Sequence, residues 1–186
     1  MMKRNGAPKK RGTKNSLENT KRLAVCAALA ALGVVVIYLG SFLDVLSASM
    51  CVIASLFCVI AVIEYGKIYP WLVYAVTAAL SVILLPKNEA AWIYLAFFGF
   101  YPILKEKFER SKGLNQWIFK ELVFNAALIL LLLGEKFILM PNTTDPWWIY
   151  VAVVVLAEIV FPVYDLALTR LITVYIVKLR SRLRIK

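Results

Sequence analysis

Leu23–Phe42 reads LAVCAALAALGVVVIYLGSF, twenty residues without one charged side chain. As a helix this run is about 30 Å long, the thickness of a bilayer's hydrocarbon core. It is continuous rather than alternating, so it reads as a helix and not as a barrel strand. Five further apolar segments follow, at about 46–65, 69–86, 90–104, 118–140 and 147–177. The fourth is short. The last is long enough to carry a basic helix past the membrane. The expected fold is an all-α membrane protein, a six-transmembrane-helix bundle.

Composition points the same way. The 186 residues are 62% hydrophobic and 18% charged, with mean hydropathy +0.77. A soluble domain has about 45–50% apolar and about 25% charged residues. One small core cannot hide the excess, because a domain of this size leaves much of its surface exposed. A soluble globular domain and a disordered chain are both excluded.

Charge sets the topology. The net charge is +11. Residues 1–22 hold eight basic side chains and one acid, Glu18. With the N-terminus inside, twenty of the 22 Lys and Arg fall on inner segments, and only Lys87 and Lys136 on outer loops. That is a strong positive-inside bias, and it places both termini in the cytoplasm. Trp71 and Trp117 fall at inner span ends, and Trp92, Trp147 and Trp148 at outer ends, as an aromatic belt requires. The expected organisation is a flexible basic cytoplasmic tail over 1–22, a transmembrane domain over 23–177 and a basic cytoplasmic end over 178–186. The basic ends should lie on anionic lipid headgroups, and no nucleic-acid partner is expected. A retained first helix is simpler than a cleaved signal peptide, because further spans follow.

Several chemistries are missing from the chain. There is no His, so imidazole acid–base catalysis and His metal sites are excluded. Cys26, Cys51 and Cys58 lie within apolar runs, an odd number with no disulfide pattern. No phosphate-binding loop, nucleophile elbow or zincin motif occurs. An enzyme, a metal and a cofactor are not expected.

Ionisable groups within spans mark where function concentrates. Glu158 lies eleven residues past Trp147, about 16 Å of helix and near mid-membrane. It is either a solute or proton contact, or a carboxylic acid bonded to a neighbouring helix. Glu64, Glu121, Asp165 and Arg170 lie nearer the inner face, where Arg170 is expected to pair with one of the three acids. Asn125 shares a helix face with Glu121 and serves as interhelical glue or as a ligand contact. Pro102 and Pro162 are expected to kink their helices. Tyr94 joins Tyr74 and Tyr101 as a hydroxyl able to line a pocket. Tyr94, Asn125 and Glu158 are the expected substrate contacts.

The first span carries the small-xxx-small pairs Ala24/Ala28 and Ala27/Ala31, which let another helix approach closely. That helix belongs either to this chain or to another protein. The stretch KRLAVCAALAALGVVV (residues 21–36), with the size and span number, resembles the substrate-binding S components of energy-coupling-factor transporters. The resemblance implies docking of Ala24, Ala27, Ala28 and Ala31 on a transmembrane partner subunit, with associated ATPases, and capture of a small water-soluble nutrient or vitamin. The first outer loop, about Gly40 to Val45, is shorter than that family's lid. The segments FFGFYPILKEKFE (97–109), FKELVFNAALIL (119–130) and VYDLALTRL (163–171) also look like uncharacterised membrane proteins of clostridia-like bacteria. The rod-shape-determining proteins of the cell-wall machinery are similar in size and helix number. The expected function is a substrate-binding importer subunit in a bacterial cytoplasmic membrane. The alternative is an envelope scaffold without a transported ligand, and a third reading is a carboxylate-based proton or ion carrier.

Overall fold

The computed structural model describes residues 11–42, 46–66, 68–109, 114–136 and 146–179, and every element among them is helical. Four helices are long and apolar enough to cross a membrane: Ser16–Gly40, Ser47–Glu64, Gln116–Gly134 and Trp147–Lys178. The chain divides into two units, Met1–Lys107 and Phe108–Lys186, where the sequence reading has one transmembrane domain over 23–177.

In the first unit, α1 runs over Arg11–Gly40, 30 residues or about 45 Å. The basic segment read as a flexible tail is therefore helical from Arg11 onward. Two i,i+4 contacts hold this extension: Arg22 to Glu18 at 2.7 Å, and the Thr20 hydroxyl to the Ser16 carbonyl at 2.9 Å. Residues 1–10 lie outside the described residues. The buried face of α1 is Cys26, Leu29, Ala30, Gly33, Val34 and Ile37, the 3.6-residue spacing of one stripe.

Helix α2 covers Ser47–Glu64 and buries Cys51, Ala54, Ser55 and Cys58 by the same spacing. Helix α3 covers Tyr69–Leu84, with Pro70 in its first turn, where no N–H is needed. Its inward face is Val73, Thr77, Ala78 and Ser81. Close packing of α1 on α3 depends on Gly33: a Cβ there would lie 3.1 Å from the Thr77 methyl. At 16 residues, α3 spans about 24 Å, less than a hydrocarbon core.

The fourth apolar segment is not one α-helix. Asn88 caps α4 (Glu89–Ile93) by accepting from the Ala90 N–H at 2.8 Å. A π-helical turn over Tyr94–Phe98 follows, closed by Gly99 N–H to Tyr94 O at 2.9 Å. After a turn, α5 resumes over Tyr101–Phe108. Pro102, expected to kink this span, sits in the first turn of α5, so it starts a helix rather than bending one.

In the second unit, α6 covers Leu114–Gly134 and α7 covers Trp147–Val174, continued by a π-helical turn over Tyr175–Leu179. The fifth apolar segment beyond 136 and the basic end 180–186 lie outside the described residues. Pro162 lies inside α7. Phe124 of α6 stacks on Phe161 of α7, centroids 4.4 Å apart and planes 12° apart.

Candidate functional site

Polar groups gather in two places, one in each unit. In the second unit they line α6 and α7 on either side of the Phe124–Phe161 stack. Lys120 and Asp165 form a buried ion pair, Nζ to Oδ2 at 2.8 Å, with side chains 5% and 4% exposed. Glu109 approaches Lys120 at 3.8 Å, and the ammonium lies 5.3 Å from the Trp117 ring centroid. The cation at Asp165 is thus Lys120 and not Arg170. Helix geometry explains this, because five residues rotate Arg170 by about 140° from Asp165. Arg170 is exposed, with no ion pair among the described residues of its unit. Glu64 is half-buried at the end of α2 in the other unit.

Glu121 follows Lys120, and its side chain lies near Glu158 of α7. Pro162 has no N–H to give the Glu158 carbonyl four residues back, so that acceptor loses its α-helical partner. The Asn125 amide donates to the Glu121 carbonyl at 3.1 Å, within its own helix. Of the expected substrate contacts, Asn125 and Glu158 therefore fall around Glu121.

Tyr94, the third expected contact, belongs to the first unit. It is fully buried, at 0% exposure, and its hydroxyl has no protein hydrogen-bond partner among the described residues. The Thr77 hydroxyl lies near it but donates to the Ala30 carbonyl at 3.3 Å. Ser81, one turn along α3 from Thr77, is also fully buried with an unpartnered hydroxyl. The Tyr74 hydroxyl is satisfied, donating to the Leu95 carbonyl at 2.9 Å. The Tyr94 and Tyr74 rings crowd Gly99, where a Cβ would come within 2.8 Å and 2.5 Å of them. Only glycine fits there, and its place after the π turn brings both rings onto the backbone.

All three cysteines are buried. The Cys51 thiol donates to the Ala90 carbonyl at 3.1 Å, and the Cys58 thiol to the Pro70 carbonyl at 3.7 Å. Among the described residues, no group of three His, Cys, Asp or Glu converges as a metal site would.

The four alanines of α1 divide from its packed face. Ala24, Ala27, Ala28 and Ala31 are all exposed. At 100° per residue they fill one arc, centred about 140° from the packed arc of Cys26, Ala30, Gly33 and Ile37. The small pairs are therefore not what packs α1 onto α2 and α3. That packing uses Ala30 and Gly33.

Lys120 as the partner of Asp165, and Ser81 beside Thr77, were not singled out by sequence. Lys120 had a faint signal: it precedes Glu121 inside an apolar segment. Ser81 had none, because a serine in an apolar helix commonly bonds its own backbone. No protein-family model, curated protein or solved structure matches this chain.

Proposed function

We propose that the protein is a six-span membrane subunit that binds a small solute and works with separate partner subunits docked on α1. The observation that carries this reading is the exposed alanine face of α1. A helix facing only lipid gains nothing from a run of alanines over leucines. A helix that receives another helix does, because small side chains let the backbones approach. The resemblance to transporter S components implies docking through the same four alanines. Four spans are the helices of full length. The other two are α3 with its flanks and the segment of α4, the π turn and α5. The basic residues then put both termini in the cytoplasm of a bacterial plasma membrane, with the ends of the chain near anionic headgroups.

In this reading Asn125 and Glu158 are solute contacts of the second unit, and Tyr94 is a solute contact of the first. Glu121 lies near Glu158, and the Glu158 carbonyl is the acceptor left by Pro162. Lys120 and Asp165 are architectural. The sequence carries no phosphate-binding loop motif, so in this reading energy comes from ATPases bound to the partner.

Replacing Ala28 with Trp fills the alanine arc without touching the packed face. The Ala28→Trp protein is expected to fold normally and to lose its transmembrane partner on affinity purification from native membranes. Leu32→Trp, exposed on α1 but off the alanine arc, should retain it. Equal retention by both variants would remove the docking role. The rival reading, a scaffold with no transported ligand, draws on the Lys120–Asp165 ion pair, which satisfies these two groups within the chain. It predicts that Glu158→Gln leaves function intact.

A further inference from the structure

The π turn between α4 and α5 is held by a side chain from another helix. In an α-helix the Gly99 N–H would donate four residues back, to the Leu95 carbonyl. Here it donates five residues back, to Tyr94 O at 2.9 Å. The Leu95 carbonyl, passed over by that bond, accepts from the Tyr74 hydroxyl of α3 at 2.9 Å. The same tyrosine packs over the end of the turn. Its ring meets Phe100 edge-on, centroids 6.0 Å apart, and a Cβ on residue 99 would come within 2.5 Å of it. A single π turn puts one extra residue into a helix, which rotates everything after it by about 100°. That rotation decides which face of α5 is packed. Tyr101, Ile103 and Lys105 are buried, Lys105 at 0% exposure. Lys107, about 200° further round, is exposed. Lysine is almost never fully buried, so the register of α5 keeps an ammonium where it rarely goes.

We infer that the Tyr74 hydroxyl is a latch that holds the π register of Tyr94–Phe98 and so keeps Lys105 inside. Released from Tyr74, the Leu95 carbonyl takes the Gly99 N–H and the turn becomes α-helical. Helix α5 then rotates by about 100°, and the Lys105 ammonium leaves the packed face for the surface. Tyr74 is a positioning residue, because it acts on Lys105 only through the backbone between them. The latch needs neither a bound solute nor a docked partner, so it stands or falls apart from the function proposed above.

Lysine acylation of the full chain in lipid nanodiscs tests the latch. Wild type and Tyr74→Phe are treated with a water-soluble N-hydroxysuccinimide ester, and the rate at each lysine is read by peptide mass spectrometry. Tyr74→Phe keeps the ring and removes only the hydroxyl. Acylation of Lys105 should rise about two- to tenfold, the population shift that one lost hydrogen bond allows. Lys120, buried in the second unit, should keep its wild-type rate. Deleting Ala96 supplies a second variant. With one residue fewer, the bond from Gly99 N–H to Tyr94 O spans four residues, so the helix is α-helical with α5 left in place. Adding Tyr74→Phe to that deletion should leave Lys105 protected. Equal Lys105 rates in wild type and Tyr74→Phe would overturn the latch. So would a rise that persists in the deletion background, or one that Lys120 shares.

Discussion

Replacing Lys120 with Met should destabilise the second unit sharply, and the structure allows the size to be worked out. The pair with Asp165 is 2.8 Å long, with both side chains about 95% buried. Removing one partner of a buried ion pair costs about 3–5 kcal/mol. The Glu109 contact at 3.8 Å adds little, because Glu109 is 40% exposed. Loss of the ammonium over Trp117 adds about 0.5–1 kcal/mol. At about 2–4 °C per kcal/mol for a chain of this size, the melting temperature should fall by roughly 7–24 °C. The double variant Lys120→Met with Asp165→Leu removes both charges and should recover most of that loss, since an apolar pair of similar volume is often as stable as the buried ion pair. The assay is thermal unfolding in one detergent, with size-exclusion profiles to confirm monodisperse protein. A fall of less than about 2 °C in Lys120→Met would refute the reasoning. So would a double variant as unstable as the sum of the two single ones.

Other predictions follow from packing and topology. Gly99→Ala drives a Cβ into the Tyr74 and Tyr94 rings and should cost about 1–3 kcal/mol, whereas Gly134→Ala meets nothing within 4 Å and should stay within about 0.5 kcal/mol, both read from thermal unfolding. Maleimide should leave Cys26, Cys51 and Cys58 unlabelled in the folded protein and label all three in SDS, because they are only 3%, 0% and 0% exposed. An engineered cysteine at the exposed Leu17, in the polar extension of α1, should label before denaturation, as mass spectrometry would show. Reporter fusions at the two termini should both report the cytoplasmic side, given the bias of twenty basic residues to two.

Much of the fold was legible because lipid imposes a simple rule. A run such as Leu23–Phe42 has no way to satisfy its backbone except as a helix. The long segments therefore became α1, α2, α6 and α7 at close to their expected places. The fourth segment was harder. Hydropathy reads Ala90–Leu104 as continuous, but a π turn depends on one extra residue between packed neighbours, and Gly99 shows its role only once the Tyr74 and Tyr94 rings are placed. The helical start at Arg11 was hidden because Gly12 and the basic side chains read as a loop. Ion pairing was legible in kind and not in partner. Asp165 needed a cation, and Arg170 was nearest in sequence, yet rotation along α7 carries it away and Lys120 of α6 arrives instead. The alanine stripe left two destinations open, inside or outside. The structure leaves it exposed because Ala30 and Gly33, on the other arc, already make the close approach.

The most direct test of the central claim is native mass spectrometry of the protein released from its own membranes in mild detergent. The account predicts a complex with a transmembrane partner subunit and one non-lipid small molecule. In Glu158→Gln the small molecule should be lost while the partner stays. A chain that flies alone, or one whose complex is unchanged in mass by Glu158→Gln, would contradict it.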